Sequence, residues 1–139
     1  MTNLPIFPQG IAQAAVAVLP ADTTSKKTIR TGSTNGDKIE NISITSTDTS
    51  ARVFNIYLAV SGTDYLVGTI NVPIAAGSDA AVTPAVSMLE ATAMLPWIRK
   101  DQNGRPYLYL ANGTVLKVAC QTTVTTAKEI DFVAHIGTF

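Results

Sequence analysis

Apolar and polar residues alternate with period two along most of this chain, which is the pattern of half-buried strands. The clearest case is ARVFNIYLAV (51–60). There Phe54, Ile56, Leu58 and Val60 line one face, and Val53, Tyr57 and Ala59 line the other with Asn55 between them. SGTD (61–64) reads as a turn, and YLVGTINV (65–72) returns with Leu66, Ile70 and Val72 in step. In EIDFVAHI (129–136), Ile130, Phe132, Ala134 and Ile136 alternate with Glu129, Asp131, Val133 and His135. Weaker strand signals are AQAAVAVL (12–19), KKTIRTG (26–32) and IENISIT (39–45), with a turn at TNGDK (34–38). Ile42 and Ile44 share a face while Ile39 is out of step, which predicts a β-bulge or a register change.

One stretch carries two apolar faces. GRPYLYLANGTVLKVA (104–119) predicts a β-hairpin closed by Asn112-Gly113, because a type I′ turn takes φ > 0 at both central residues. Leu110 then faces Val115, Tyr109 faces Leu116, Leu108 faces Lys117 and Tyr107 faces Val118. One face holds Tyr107, Tyr109, Leu116 and Val118; the other holds Leu108, Leu110, Val115 and Ala119. A hairpin on the wall of a monomer is apolar on one side only, so the second side needs a cover. A second subunit could supply it, and so could a short helix near 88–95. In SMLEATAMLP (87–96), Ser87 and Glu90 match a capping box, Leu89, Thr92 and Ala93 share a face, and Pro96 ends the run.

MTNLPIFPQGI (1–11) contains Pro5 and Pro8, which exclude helix and favour extended chain. It reads as an N-terminal arm with Ile6 and Phe7 as apolar anchors, ahead of a single domain at 12–139. The domain is expected to be all-β: an antiparallel two-sheet sandwich, jelly-roll-like, of about eight strands with one short helix. An immunoglobulin-like sandwich is the alternative, without the Cys…Trp…Cys spacing of antibody domains.

Composition sharpens this picture. Charged residues are 14% of the chain, against about 25% in ordinary domains, and 19 Thr and 8 Ser take their place. Thr suits a pleated surface through its β-branch. The formal net charge is zero and the basic residues are scattered, which argues against a nucleic-acid partner. A neutral, charge-poor surface suits a protein that sits against other proteins. IAQAAVAVLPA (11–21) has no Lys or Arg ahead of it and is too short to span a bilayer. No membrane association is expected, and synthesis is expected in a cytoplasm without export.

The inventory for chemistry is thin. His135 is the single histidine and reads as a partly buried, hydrogen-bonded strand residue. Cys120 is the single cysteine, so no internal disulfide can form, and it reads as a buried structural thiol. A Cys120–His135 nucleophile pair would need neighbouring strands, and no G-x-S-x-G elbow is present. One Cys and one His make zinc a poor fit. GSTNGDK (32–38) misses the phosphate-loop spacing, and the sequon matches NIS (41–43) and NGT (112–114) are read as chance. Asp22, Asp37, Asp48, Asp64, Asp79 and Asp101 fall near turns, where Asp caps backbone; calcium is the alternative use. Tyr57, Tyr65, Tyr107 and Tyr109 with Trp97 could form a sugar platform, though core or protein-interface use is commoner. The expectation is a non-enzyme with no cofactor and no catalytic or metal residues.

GDKIENISITSTDTSARVFNIYL (36–58), MLPWIRKDQNGRPYLYLANGTVLKVA (94–119) and AKEIDFVAHIGTF (127–139) together resemble small β-rich virion proteins of tailed bacteriophages. Among these the chain is most similar to capsid decoration (cement) proteins, such as the jelly-roll cement protein of a Bordetella phage. The resemblance implies a structural protein on the outside of a capsid, contacting the major capsid protein and stabilising the shell, in a family whose members pair as homodimers. It transfers no binding residue. From the residues themselves, the interface candidates are Ile6, Phe7, Tyr107, Tyr109, Leu116 and Val118. A tail, neck or host-recognition module of the virion, with a carbohydrate ligand, is the alternative.

Overall fold

The β-branched and aromatic runs form ten strands among the described residues, which in this computed structural model are 7–80 and 82–139. They are β1 (Gly10–Val18), β2 (Lys27–Thr31), β3 (Asp37–Ser46), β4 (Arg52–Val60), β5 (Thr63–Val72), β6 (Val86–Ser87), β7 (Arg99–Lys100), β8 (Pro106–Leu110), β9 (Val115–Cys120) and β10 (Ile130–Thr138). The first sheet runs β1-β10-β3-β8-β7, with β6 also pairing β3; the second runs β2-β9-β4-β5. All pairings are antiparallel. Without the two-residue strands β6 and β7, eight strands remain, and they alternate between sheets except at the β4–β5 hairpin. That is the strand order of a jelly roll.

The core lies between the sheets. Phe54 of β4 meets Phe132 of β10 edge-on, with ring centroids 5.0 Å apart. Ile39, Ile42, Ile44, Ile56, Leu116 and Ile130 are fully buried around them. Ile39 reaches the core despite its phase because the β10–β3 register shifts between His135 and Ile136, opposite Glu40. This is the predicted bulge. A second irregularity leaves Val67 without a partner in the β4–β5 register. It puts Leu66, expected in step with Ile70 and Val72, on the surface at 59% exposure.

The expected hairpin at 104–119 does not form. β8 belongs to the first sheet and β9 to the second, so none of the four anticipated cross-strand pairs exists. The turn itself explains the outcome. Thr114 N–H donates to Ala111 O at 3.0 Å, and positive φ occurs at Gly113 (74°) but not at Asn112. One positive φ, at the third position, is the pattern of a type II turn, which splays its flanking strands. Gly32 holds the turn from outside: its carbonyl accepts Gly113 N–H and its N–H donates to Thr114 O. The type I′ hairpin is instead at Ser61-Gly62, where both φ values are positive (51° and 83°) and Val60 pairs with Thr63.

Each arm therefore buries its own face. Leu108 and Leu110 point into the core from one sheet, Leu116 and Val118 from the other. Leu116 and Val118 are core residues at 0% exposure and are corrected as interface candidates. The helix near 88–95 is also corrected. The segment forms one 3-10 turn, Met88–Glu90, and Ser87 makes no side-chain cap bond. Met88, Leu89 and Leu95 are all buried, and so short a run ahead of Pro96 does not nucleate a helix on its own.

Candidate interaction surface

Alternation along β8 points Leu108 and Leu110 inward and Tyr107 and Tyr109 outward. The two tyrosine rings meet edge-on at 5.0 Å, and Tyr109 continues to Phe139 at 6.1 Å. β3 lies beside β8, with Lys38 in register with Tyr109. The Lys38 ammonium sits 5.2 Å from the centre of the Tyr107 ring, an attraction of cation and ring quadrupole. Tyr107 is half-buried, while Tyr109 is 58% exposed. An exposed tyrosine without neighbours samples several rotamers. This one has two neighbouring rings and still keeps more than half of its surface in solvent.

The described residues just ahead of β1 meet the end of β10. Gln9 N–H donates to Thr138 O at 2.7 Å. Pro8 packs on Gly137, where an added Cβ would lie 2.9 Å from the proline ring. β1 starts at Gly10, so residues 10 and 11 belong to the sheet rather than to the arm. Phe7 is 71% exposed; Ile6 lies outside the described residues. The C-terminal end of β10 thus brings Phe139 beside Tyr109, and Pro8 against Gly137. No sequence signal marks Phe139, because only the β1-β10-β3-β8 order brings the last residue beside β8.

On the other side of Tyr107 is a shallow groove of about 440 Å³ lined by Trp97, Arg99, Tyr107, Leu108 and Tyr109. Trp97 is fixed there by its indole N–H, which donates to Val67 O at 2.8 Å. The aromatics considered together as a sugar platform are split. Tyr57 and Tyr65 stand on the second sheet, Tyr57 beneath the Lys26 ammonium.

The remaining candidates are separated. Cys120 is buried in the core, and burial raises its thiol pKa. His135 is exposed on the outer face of the first sheet, where Gln13 Nε2 lies 3.4 Å from its Nδ1. It is not partly buried as expected, because it shares the outward phase of Asp131. The Cys–His pair is not assembled. Among the described residues, no three His, Cys, Asp or Glu side chains are grouped as for a metal ion, and no helix is long and apolar enough to cross a membrane.

The aspartates serve as clasps. Asp37 accepts from Arg30 Nε (2.7 Å), Ser33 Oγ (2.8 Å) and Ser33 N–H (3.3 Å), tying β2 to β3. Asp48 accepts from Arg52 Nε (2.7 Å), Ser50 N–H (3.0 Å), Thr125 Oγ1 (2.6 Å) and Thr125 N–H (3.2 Å). Burial pushes both carboxyls up, but the guanidinium and hydroxyl donors outweigh it and hold both below the usual carboxylate range. Asp101 accepts from Asn103 and Arg105 N–H groups and shapes the β7–β8 turn.

No protein-family model matches the chain, and no curated protein sequence does. Two solved structures are similar to it. One is the nucleoplasmin-like N-terminal domain of Drosophila FKBP39, at 11% identity and a TM-score of 0.41, covering 94% of this chain and 95% of that one. The other is a chain of the cyanophage Pam1 capsid asymmetric unit, at 11% identity and a TM-score of 0.43, covering 100% of this chain and 94% of that one. Likenesses at this level bear on no residue or activity of this chain.

Proposed function

We infer that this chain is a structural virion protein: a decoration, or cement, protein that binds the outside of a tailed-phage capsid and stabilises the shell. The observation that carries the reading is the outward aromatic row of Tyr107, Tyr109 and Phe139, in which Tyr109 stays 58% exposed although its ring meets Tyr107 edge-on and lies beside Phe139. Stable protein contacts centre on aromatic anchors of this kind. Burying one such side chain contributes roughly 1.5–3 kcal/mol, and an extended arm adds strand pairing or groove filling on a neighbour. The charge-poor jelly roll and the resemblance of three long segments to phage cement proteins support the same assignment. The partner is the major capsid protein. The protein acts by binding alone, as a homo-oligomer made in the bacterial cytoplasm, with no direct contact to nucleic acid or membrane.

The test is co-sedimentation with expanded shells assembled from the accompanying major capsid protein. Wild-type protein should saturate discrete sites, and Tyr109→Ala should weaken binding by roughly tenfold or more. Failure of wild-type protein to bind shells refutes the assignment. The groove at Trp97, Arg99, Tyr107 and Tyr109 favours a second reading, a host-recognition module of the virion that stacks a sugar ring on these aromatics. Binding to host surface glycans without binding to shells would select it.

A further inference from the structure

A sheet edge is a row of unpaired N–H and C=O groups, and proteins blunt such edges with charge, bulges, brevity or cover. Three of the four edges here are blunted. β2 is five residues long, carries Lys27 and Arg30, and has an irregular register at Ile29. β7 is two residues long and both are cationic. β5 is covered where Trp97 donates to Val67 O and Leu95 packs on Gly68. Among the described residues, β1 carries such a device only at its end, where the Lys27 ammonium meets the Ala17 carbonyl. It is nine residues, GIAQAAVAV, with no charge and no proline, in unbroken register with β10.

Two bonds identify which of its groups are free. Lys27 Nζ reaches Ala17 O at 2.6 Å, so that carbonyl faces away from β10. Gln9 N–H donates to Thr138 O, the register partner of Gly10, which places the Gly10 phase on the β10 side. Ile11, Gln13, Ala15 and Ala17 therefore turn their N–H and C=O groups outward. Among the described residues, only the Ala17 carbonyl is covered.

We propose that β1 pairs antiparallel with β1 of a second copy of this chain, across a two-fold axis at Ala14. This register sets Ile11 against Ala17 and Gln13 against Ala15, so each outward-turned residue meets another outward-turned residue. Large side chains meet small ones, and no charge opposes another. Ile11, 96% exposed in the single chain, gains a neighbour. The first sheets of the two copies become one continuous sheet, an isologous contact that closes after two subunits. The proposal rests on the homo-oligomer of the capsid reading and gives it an interface, and because it is tested on the isolated chain its failure is distinguishable from a failure to bind shells.

The experiment combines sedimentation equilibrium with amide hydrogen exchange on purified full-length protein from about 1 to 100 µM. The expected result is a dimer in which Ile11, Gln13 and Ala15 amides become protected as concentration rises, while Ala12, Ala14 and Val16 are protected throughout. Ala15→Pro removes only an outward N–H, which an edge strand tolerates, and should weaken the dimer by roughly tenfold or more. Ala15→Lys, which needs no backbone change, should weaken it in the same direction. A chain that stays monomeric throughout, a dimer without alternating protection, or a dimer indifferent to both variants overturns the proposal.

Discussion

Asp48→Asn tests whether the Asp48 clasp holds the end of the sandwich together. The carboxylate is fully buried and accepts four donors, two on each oxygen. Through them it joins the start of β4 to the loop at 122–125, which Arg52 also reaches at Thr122 and Thr125. Asparagine has nearly the same shape but one acceptor oxygen, so two donors lose their partner and its own amide N–H meets another donor. Arg52, itself mostly buried, is left without a counter-charge. Stranding part of a buried charged network costs about 2–4 kcal/mol. For a chain of this length that lowers Tm by roughly 10 °C. The assay is urea unfolding of both proteins from neutral to acid pH. Asp48 has a native pKa below its unfolded value, so the folded state is favoured where the group is ionised. Its stabilisation is complete above the unfolded carboxylate pKa of about 3.9 and fades as pH falls towards the native value. The gap between wild type and Asp48→Asn should therefore be widest at neutral pH and narrow in acid. A gap under about 1 kcal/mol at neutral pH, or one that does not change with pH, refutes the reasoning.

Three further outcomes follow from burial and contact. Leu116→Ala should cost about 2–5 kcal/mol by urea unfolding, as a fully buried core truncation, whereas Tyr109→Ala should change stability by less than about 1 kcal/mol while impairing shell binding. Gly68→Ala would place a methyl 2.3 Å from Leu95 Cδ2 and 2.6 Å from Met94 O, and calorimetry should show a loss of about 1–3 kcal/mol. Cys120 should resist thiol reagents at neutral pH until urea unfolds the chain, because burial both raises its pKa and blocks access.

The long strands are legible in the sequence because period-two alternation is a local property. The bulge before Ile42 is legible too, since an isoleucine out of phase within a strand reaches the core only if an extra residue shifts the register. Leu66 is not. Its phase is reversed by Val67, and nothing in YLVGTINV distinguishes a strand with an extra residue from one without. The 88–95 segment misleads through the Ser87–Glu90 spacing: a capping box supports a helix only where enough turns follow to repay nucleation, and Pro96 leaves too few.

The segment 104–119 shows how one sequence pattern can fit two architectures. Two apolar faces suggest one hairpin with an uncovered side, and from that hairpin come the interface candidates Tyr107, Tyr109, Leu116 and Val118. The same pattern arises when a chain crosses from one sheet of a sandwich to the other, because the inward face of each arm is apolar and the arms no longer share a plane. Asn-Gly does not distinguish the cases, since glycine at the third position serves a type II turn as well as a type I′ turn. The external bonds from Gly32 accompany the open form, and they come from a loop far earlier in the chain. What stays exposed of the expected interface is the outward face of β8 alone. There Tyr107 and Tyr109 cannot be explained by the core, and the fold adds Phe139 to them.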